Sequence, residues 1–351
     1  MPAATDVLVF REAVEPVDAQ AIHRAAPIAD LHAHPGLTAY WLRRDLTREH
    51  RPSPHGYNPL RSQLDLPRIV QGGLRVLTAC VYAPTLPPFP RPFRGALGAM
   101  HFVEDLCSRA ADKAAVAAPG SVRAVLATGR VAVIHAAEGG HHIERSLEKL
   151  EQLAARGLRY LTLTHFTHNG LAQPARLGPF SLLRGPPGLT ELGRRVVKKC
   201  EELRVLVDLS HCSDRSFADV ASIATRPLLA THTGFRRFHD VERNLSDEQL
   251  RTIARSGGVV GVITWSWLLR HRGFVADVED LADAVVHGAL VAGPEHVGIG
   301  TDFDGFVWSA RRIREARHYP ALSEALSKRG FTAAELSGIL GGNYLRVLGE
   351  M

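Results

Sequence analysis

Cysteine is scarce in this chain: four in 351 residues, Cys80, Cys107, Cys200 and Cys212, with no Cys-x-x-Cys pair. Such spacing argues against a disulfide framework and against a thiolate zinc cluster, and leaves reduced thiols in a cytoplasmic protein as the expectation. Long apolar runs are missing too. The longest, around Gly257 to Leu269, is interrupted by Thr264 and Ser266 and is too short to span a bilayer, so no membrane association is expected. Residues Met1 to Asp6 lack a basic stretch followed by an apolar one, the pattern of a secretory leader. Net charge is +6, but the cations come in short pairs such as Arg43-Arg44 and Lys198-Lys199 rather than a stripe interleaved with aromatics. A nucleic-acid partner is therefore not expected, while a mild positive field is consistent either with recruiting an anionic substrate or with a plain solvated surface. Internal repeats and low-complexity tails are absent as well.

What is present is an ordinary globular composition, 45% apolar and 22% charged, enough for a sizeable core. The length suits one (β/α)8 barrel or two smaller domains. Eight apolar runs of strand length recur along the chain, at 27–32, 74–82, 131–137, 160–164, 205–209, 227–231, 259–263 and 296–300. Helical patterns separate most of them: a segment from about Leu97 to Ala118, and one from Ile143 to Arg156 with Leu147, Leu150, Leu153 and Ala154 on one face. Further helices open at Thr190, Ser213, Ser246 and Asp277, residues whose side chains cap a first turn. Eight nearly all-apolar strands alternating with helices predict an α/β fold, a TIM (β/α)8 barrel with its sheet buried on both faces. A doubly wound sheet would want a Gly-rich phosphate turn after the first strand, and none is there. We read residues 1–351 as one barrel domain, with a loop insertion at about 35–73, a stiff Pro-rich loop at 84–95, and C-terminal helices at about 320–349.

In such barrels, chemistry sits at the carboxyl ends of the strands. Strand one ends in His32 and His34, which share a face because side chains alternate with period two. Strand three ends in Glu138, strand four in His165, strand five in His211, strand six in His232 and strand eight in Asp302. Any one histidine is readily a satisfied core or loop residue. All of them falling on strand ends together points to a common centre. Imidazoles and carboxylates without thiolates suit zinc or a related divalent ion. Glu138 is the natural bridge between two ions, since one carboxylate offers two oxygens. Ions about 3.5–4 Å apart can hold a bridging hydroxide at neutral pH and polarise a carbonyl, which is hydrolytic chemistry.

Longer stretches carry a family likeness: Gln63-Leu64-Asp65-Leu66-Pro67-Arg68, Glu138-Gly139-Gly140-His141, Leu161-Thr162-Leu163-Thr164-His165, Leu206-Val207-Asp208-Leu209-Ser210-His211, Arg243-Asn244-Leu245, and the run from Gly293 through Thr301-Asp302-Phe303-Asp304-Gly305. With Gly188 to Arg194 and Gly341 to Val347 they cover about residues 28–348, in order. In these the chain resembles the renal (membrane) dipeptidase family of zinc peptidases. The resemblance implies a binuclear Zn2+ dipeptidase acting on small dipeptides, with tolerance for a D-residue at the C-terminal position, and a homodimer. It makes His32, Glu138 and Asp302 ligands of one zinc, and Glu138, His211 and His232 ligands of the other. Asp302 would shuttle a proton, His165 would steady the oxyanion, and Arg243 would grip the substrate carboxylate.

The chain departs from that family at two places. The usual His-x-Asp of the first strand is His32-x-His34, which leaves the site one unit more positive. Strand seven ends Ile263-Thr264-Trp265-Ser266-Trp267, where relatives carry Asn-Phe-Tyr-like residues, implying an altered pocket. Two other readings follow: an amidase or tailoring hydrolase acting on a modified peptide or non-peptide amide, and a catalytically degenerate barrel that binds a small ligand.

Overall fold

The computed structural model describes residues 8–11, 17–51, 62–82, 91–178, 183–270 and 275–350. Its sheet contains β1 (Ala29–Ala33), β2 (Val76–Val81), β3 (Ala114–Val116), β4 (Val131–Glu138), β5 (Leu158–Thr162), β6 (Leu206–Asp208), β7 (Leu228–Thr233), β8 (Val259–Val262) and β9 (Val297–Ile299). Every ladder is parallel, in the order β1-β2-β4-β5-β6-β7-β8-β9, with β3 appended to β4. The eight strands on that path are the eight apolar runs, and they form a nearly closed TIM barrel. β1 and β9 meet at a seam held by bonds beyond the strand ends: Asp302 N to His32 O at 2.9 Å, and His34 N to Phe303 O at 2.8 Å. Asp30 sews the same seam, accepting from Thr301 N at 3.0 Å and Thr301 Oγ1 at 2.6 Å.

The strands are buried along their whole length apart from the end of β3, as parallel strands between helices and a filled interior must be. One cluster lies between strands and helices, with Leu77, Val133, Leu161, Val207 and Val260. A second fills the barrel, with Ala29, Leu31, Val76, Ile134, Tyr160, Leu229 and Val259, and continues into Tyr344 and Leu345 of the C-terminal segment. Thr190, Ser213 and Ser246 cap their helices through side-chain oxygens, Ser246 in a reciprocal box with Gln249, each contributing about 1 kcal/mol. Asp277 caps the helix Val278–Ala292 in the same reciprocal way with Asp280.

Three expectations need correction. The helix expected over 97–118 runs from Pro92 to Arg109, and Ala114–Val116 is a strand. Its three small apolar residues carry no helical periodicity, and pairing with β4 decides their conformation. The helix expected over 143–156 occupies Leu147–Ala155, because Ser146 caps it and a short 3-10 turn, Gly140–Ile143, takes the residues after Glu138. Among its described residues, the insertion at 35–73 holds two short helices, Leu37–Leu42 and Leu66–Gln71, the second capped by Asp65. Most of the loop at 84–95 lies outside the described residues. Among the described residues, no helix is long and apolar enough to cross a membrane.

Candidate metal centre

At the carboxyl end of the barrel, the breaks in strand register fall beside site residues. The β1–β2 register shifts between Asp30 and Ala33, the β4–β5 register between His135 and Ala137, and the β7–β8 register between Ala230 and Thr233. A bulge adds a residue to one strand and re-aims the next side chain. In β1, Leu31 packs into the barrel and Ala33 packs outward, yet His32 between them also faces the centre. In β7, Thr231 and His232 face the centre consecutively. Backbone strain accompanies this. His211 and Asp302 both adopt left-handed φ, +65° and +59°, which non-glycine residues avoid at a cost of about 1–3 kcal/mol. Gly139 follows Glu138 at φ +89°, and a Cβ there would press on His141 Nδ1 at 2.8 Å, so only glycine allows this turn.

Glu138 stands at the middle. Its Oε1 lies 3.1 Å from His211 Nε2, 3.1 Å from His232 Nε2 and 3.6 Å from His32 Nε2. Its Oε2 lies 3.4 Å from His34 Nε2 and 3.5 Å from His165 Nε2. Asp302 Oδ1 is 3.2 Å from His34 Nε2, and the Nε2 atoms of His32 and His34 are 3.1 Å apart. All eight residues expected at the site from the sequence, Arg243 included, are therefore within one ring of contacts. His32 and His232 are fully buried at its floor, while His165, His211 and Asp302 reach 7–9% exposure at its mouth.

Three overlapping ligand sets emerge, with donor atoms within 4.8 Å of one another: His32, Glu138 and His232; His32, His34 and Asp302; and Glu138, His165 and His211. Nitrogen and carboxylate donors of this kind fit zinc and its neighbours. The electrostatics fit as well. Burial pushes Glu138 up to about 8, only partly opposed by His34 and Arg243. Burial raises Asp302 too, against the pull of its bond to His34. Burial and surrounding positive groups hold His32, His165, His211 and His232 well below the usual histidine range, so they are neutral donors. For His34 burial pulls downward, but Asp302 and Glu138 outweigh it and its pKa rises. Carboxylates forced toward protonation and imidazoles forced to stay neutral are both relieved by a bound cation.

Arg243 is 3% exposed. Its Nη2 donates to His232 O at 2.8 Å and to His211 Nε2 at 3.1 Å. Its Nε and Nη1 are buried with no partner. Unmet buried donors are costly, and an anion reaching this pair would satisfy them. The tryptophans beyond β8, Trp265 and Trp267, have ring centroids 5.1 Å apart at a tilt of 40°, and Trp267 is 39% exposed.

Several participants carried no assigned role in the sequence reading. Tyr82 packs on His165 at 4.8 Å between ring centroids. Tyr160 Oη is 2.8 Å from His32 Nδ1, and Asp208 and Thr231 lie beneath the histidines. The legible signal was Asp208 itself, a carboxylate inside the apolar run Leu206–Leu209. A charge in a buried strand always demands partners.

A parallel barrel with such a ring at its strand ends defines a TIM barrel with a candidate metal centre. The chain belongs to the membrane dipeptidase family (peptidase family M19), whose sequence model matches residues 17–351. It is 28% identical over 333 residues to dipeptidase 3 of Rattus norvegicus, covering 95% of this chain and 67% of that one. It is 33% identical over 234 residues to an uncharacterised dipeptidase of Schizosaccharomyces pombe, covering 66% of this chain and 55% of that one. The chain thus spans only about half to two thirds of the length of these curated relatives. A metallo peptidase from Rhodobacter sphaeroides, solved with a phosphinate mimic of the dipeptide L-Ala-D-Ala, superposes with a TM-score of 0.81 at 28% identity, covering 93% of this chain and 99% of that one.

Proposed function

We propose that this chain is a metal-dependent dipeptidase whose centre would take two zinc ions, with Glu138 as a ligand that would serve both. The observation that carries the reading is Arg243, whose two unpartnered buried donors lie beside a ring of imidazoles and carboxylates. His32, His34 and Asp302 would hold one ion with Glu138, and His211 and His232 the other. Bound there, the ions would supply Lewis acidity and would lower the pKa of a bound water. The chain's own groups do the rest. Arg243 takes the free C-terminal carboxylate of the substrate in its planar fork. His165, neutral and at the mouth, donates one N–H to the oxygen that becomes negative in the transition state. Asp302 receives the proton of the attacking water and returns it to the leaving amine.

A D-residue in the second position is supported by the ligand of the Rhodobacter sphaeroides structure, a mimic of L-Ala-D-Ala. An amidase or tailoring hydrolase acting on a modified peptide or non-peptide amide is the second reading, favoured by Trp265 and Trp267, whose rings lie 5.1 Å apart at a 40° tilt, and by Trp308, 47% exposed. The test is to purify the protein with zinc, count bound metal, and assay dipeptides of the L-Xaa-Gly and L-Xaa-D-Xaa kinds. Cleavage accompanied by about two ions per chain is the expected result. Full metal occupancy with no dipeptide cleaved would sink the dipeptidase reading and leave the second one.

A further inference from the structure

Beneath the ring, Asp208 accepts five hydrogen bonds and is fully buried. Its Oδ1 takes Thr231 N at 2.8 Å, Ser210 N at 3.1 Å and Ser210 Oγ at 2.9 Å; its Oδ2 takes Thr162 Oγ1 at 2.5 Å and Thr231 Oγ1 at 2.9 Å. A carboxylate only accepts, so the single hydroxyl proton of Thr231 points at Asp208. The oxygen of Thr231 then has only lone pairs to offer elsewhere. Its other neighbours are His32 Nδ1 at 3.2 Å and His232 Nδ1 at 3.0 Å. Both ring nitrogens must present N–H, which leaves both Nε2 atoms as bare lone pairs directed at Glu138.

A second group agrees for His32. Tyr160 spends its hydroxyl proton on Leu31 O at 2.9 Å, so its oxygen also accepts from His32 Nδ1 at 2.8 Å. The two imidazoles lie against each other at a 32° tilt, centroids 3.7 Å apart, and share the one threonine. Thr231 itself is locked, because its carbonyl is approached so closely by Gly261 and Gly300 that a Cβ on either would collide with it.

We infer that Thr231, with Asp208 behind it, is one positioning residue shared by both ion positions, fixing the proton on one histidine of each. This rests on the metal-centre reading above, with His32 serving one ion and His232 the other. Metal-binding histidines generally need such an acceptor at the far nitrogen, and losing it costs about 10–100-fold in affinity. Here one hydroxyl serves two histidines, so its loss weakens two ions at once.

The test uses the full chain stripped of metal and titrated with Co2+, followed by its visible absorption and by chelator competition. Thr231→Val is expected to weaken both binding steps by about 10–100-fold, and Thr231→Ser to restore both. Histidine nitrogen chemical shifts in the metal-free wild type should show Nδ1 protonated on His32 and His232. Thr162→Val, which removes a donor to Asp208 but touches neither ring, is the control for a merely structural loss and should leave both steps closer to wild type. Weakening of one step only, unchanged affinity in Thr231→Val, equal losses in Thr162→Val and Thr231→Val, or Nε2-protonated rings would overturn the inference. Wild type that takes up no ion would overturn it together with the metal centre. Wild type that binds two ions yet cleaves no dipeptide would remove the dipeptidase reading and leave this one standing.

Discussion

The two halves of the ring are built on different foundations. His211 follows β6 and His232 lies near the end of β7, neighbours joined by a regular ladder and by Asp208 at the end of β6, which accepts from Ser210 just beyond it and from Thr231 of β7. His32, His34 and Asp302 straddle the seam between β1 and β9, where Asp30 and a few backbone bonds take the place of a ladder. The ladder half consists of neutral imidazoles held well below their usual pKa. The seam half contains His34, whose pKa Asp302 and Glu138 raise and whose Nε2 lies 3.2 Å from Asp302 Oδ1. The comparison suggests a division of labour. On the reading proposed above, the ladder half would fix one ion, and the seam half would hold Asp302, the group that would move a proton.

The largest blow to both halves together is Glu138→Gln, since Glu138 touches histidines of each. The amide keeps the shape but loses the charge that balances two cations and half of its acceptor capacity. Both ions should be lost at ordinary concentrations, and kcat/KM should fall by about 10³-fold or more. Metal analysis beside kinetics checks this. Retention of both ions would mean that Glu138 is not the bridge.

Asp30→Asn separates the halves. Asp30 touches no ligand side chain, but it accepts from His32 N at 3.1 Å and from Thr301, one residue before Asp302. An amide there turns one acceptor into a donor facing Thr301, and the seam loosens. The seam-side ion should weaken about tenfold while the ladder-side ion keeps its affinity. Equal weakening of the two steps would erase the distinction between seam and ladder.

Much of this was readable in the sequence. A strand-end census found seven of the eight site residues, because apolar runs mark strands and a barrel brings their ends to one rim. Arg243 was placed by resemblance alone, and its unmet donors are a fact of three dimensions. The bulges were hidden for a physical reason. Alternation from Ala29 and Leu31 would have turned His32 outward, and a bulge is an exception to the period that makes strands legible. The strand Ala114–Val116 was hidden likewise, being three residues whose state depends on β4. Thr231 escaped because a threonine inside an apolar strand is ordinary until its proton is traced.

The smallest effect, and the one that sets the halves against each other, is the pH dependence of the metal-free protein. His32, His165, His211 and His232 are depressed from an ordinary 6.5, so below that value the unfolded chain binds more protons than the folded one. Their share of stability therefore rises with pH up to about 6.5 and is level above it. Glu138 runs the other way. Raised from 4.5 to about 8, it keeps a proton in the folded chain that the unfolded chain has released, so stability falls as pH climbs through that window. His34, raised above 6.5, adds to the same fall. Between pH 6.5 and 8 only the falling contributions remain among the ring residues, and the metal-free Tm should drop by a few degrees. A bound cation removes the need for the Glu138 proton, so with zinc the drop should vanish. Calorimetry at pH 6.5 and 8, with and without zinc, measures both curves. A metal-free Tm that rises over that interval would mean that the ladder half, not Glu138 and His34, governs the empty centre.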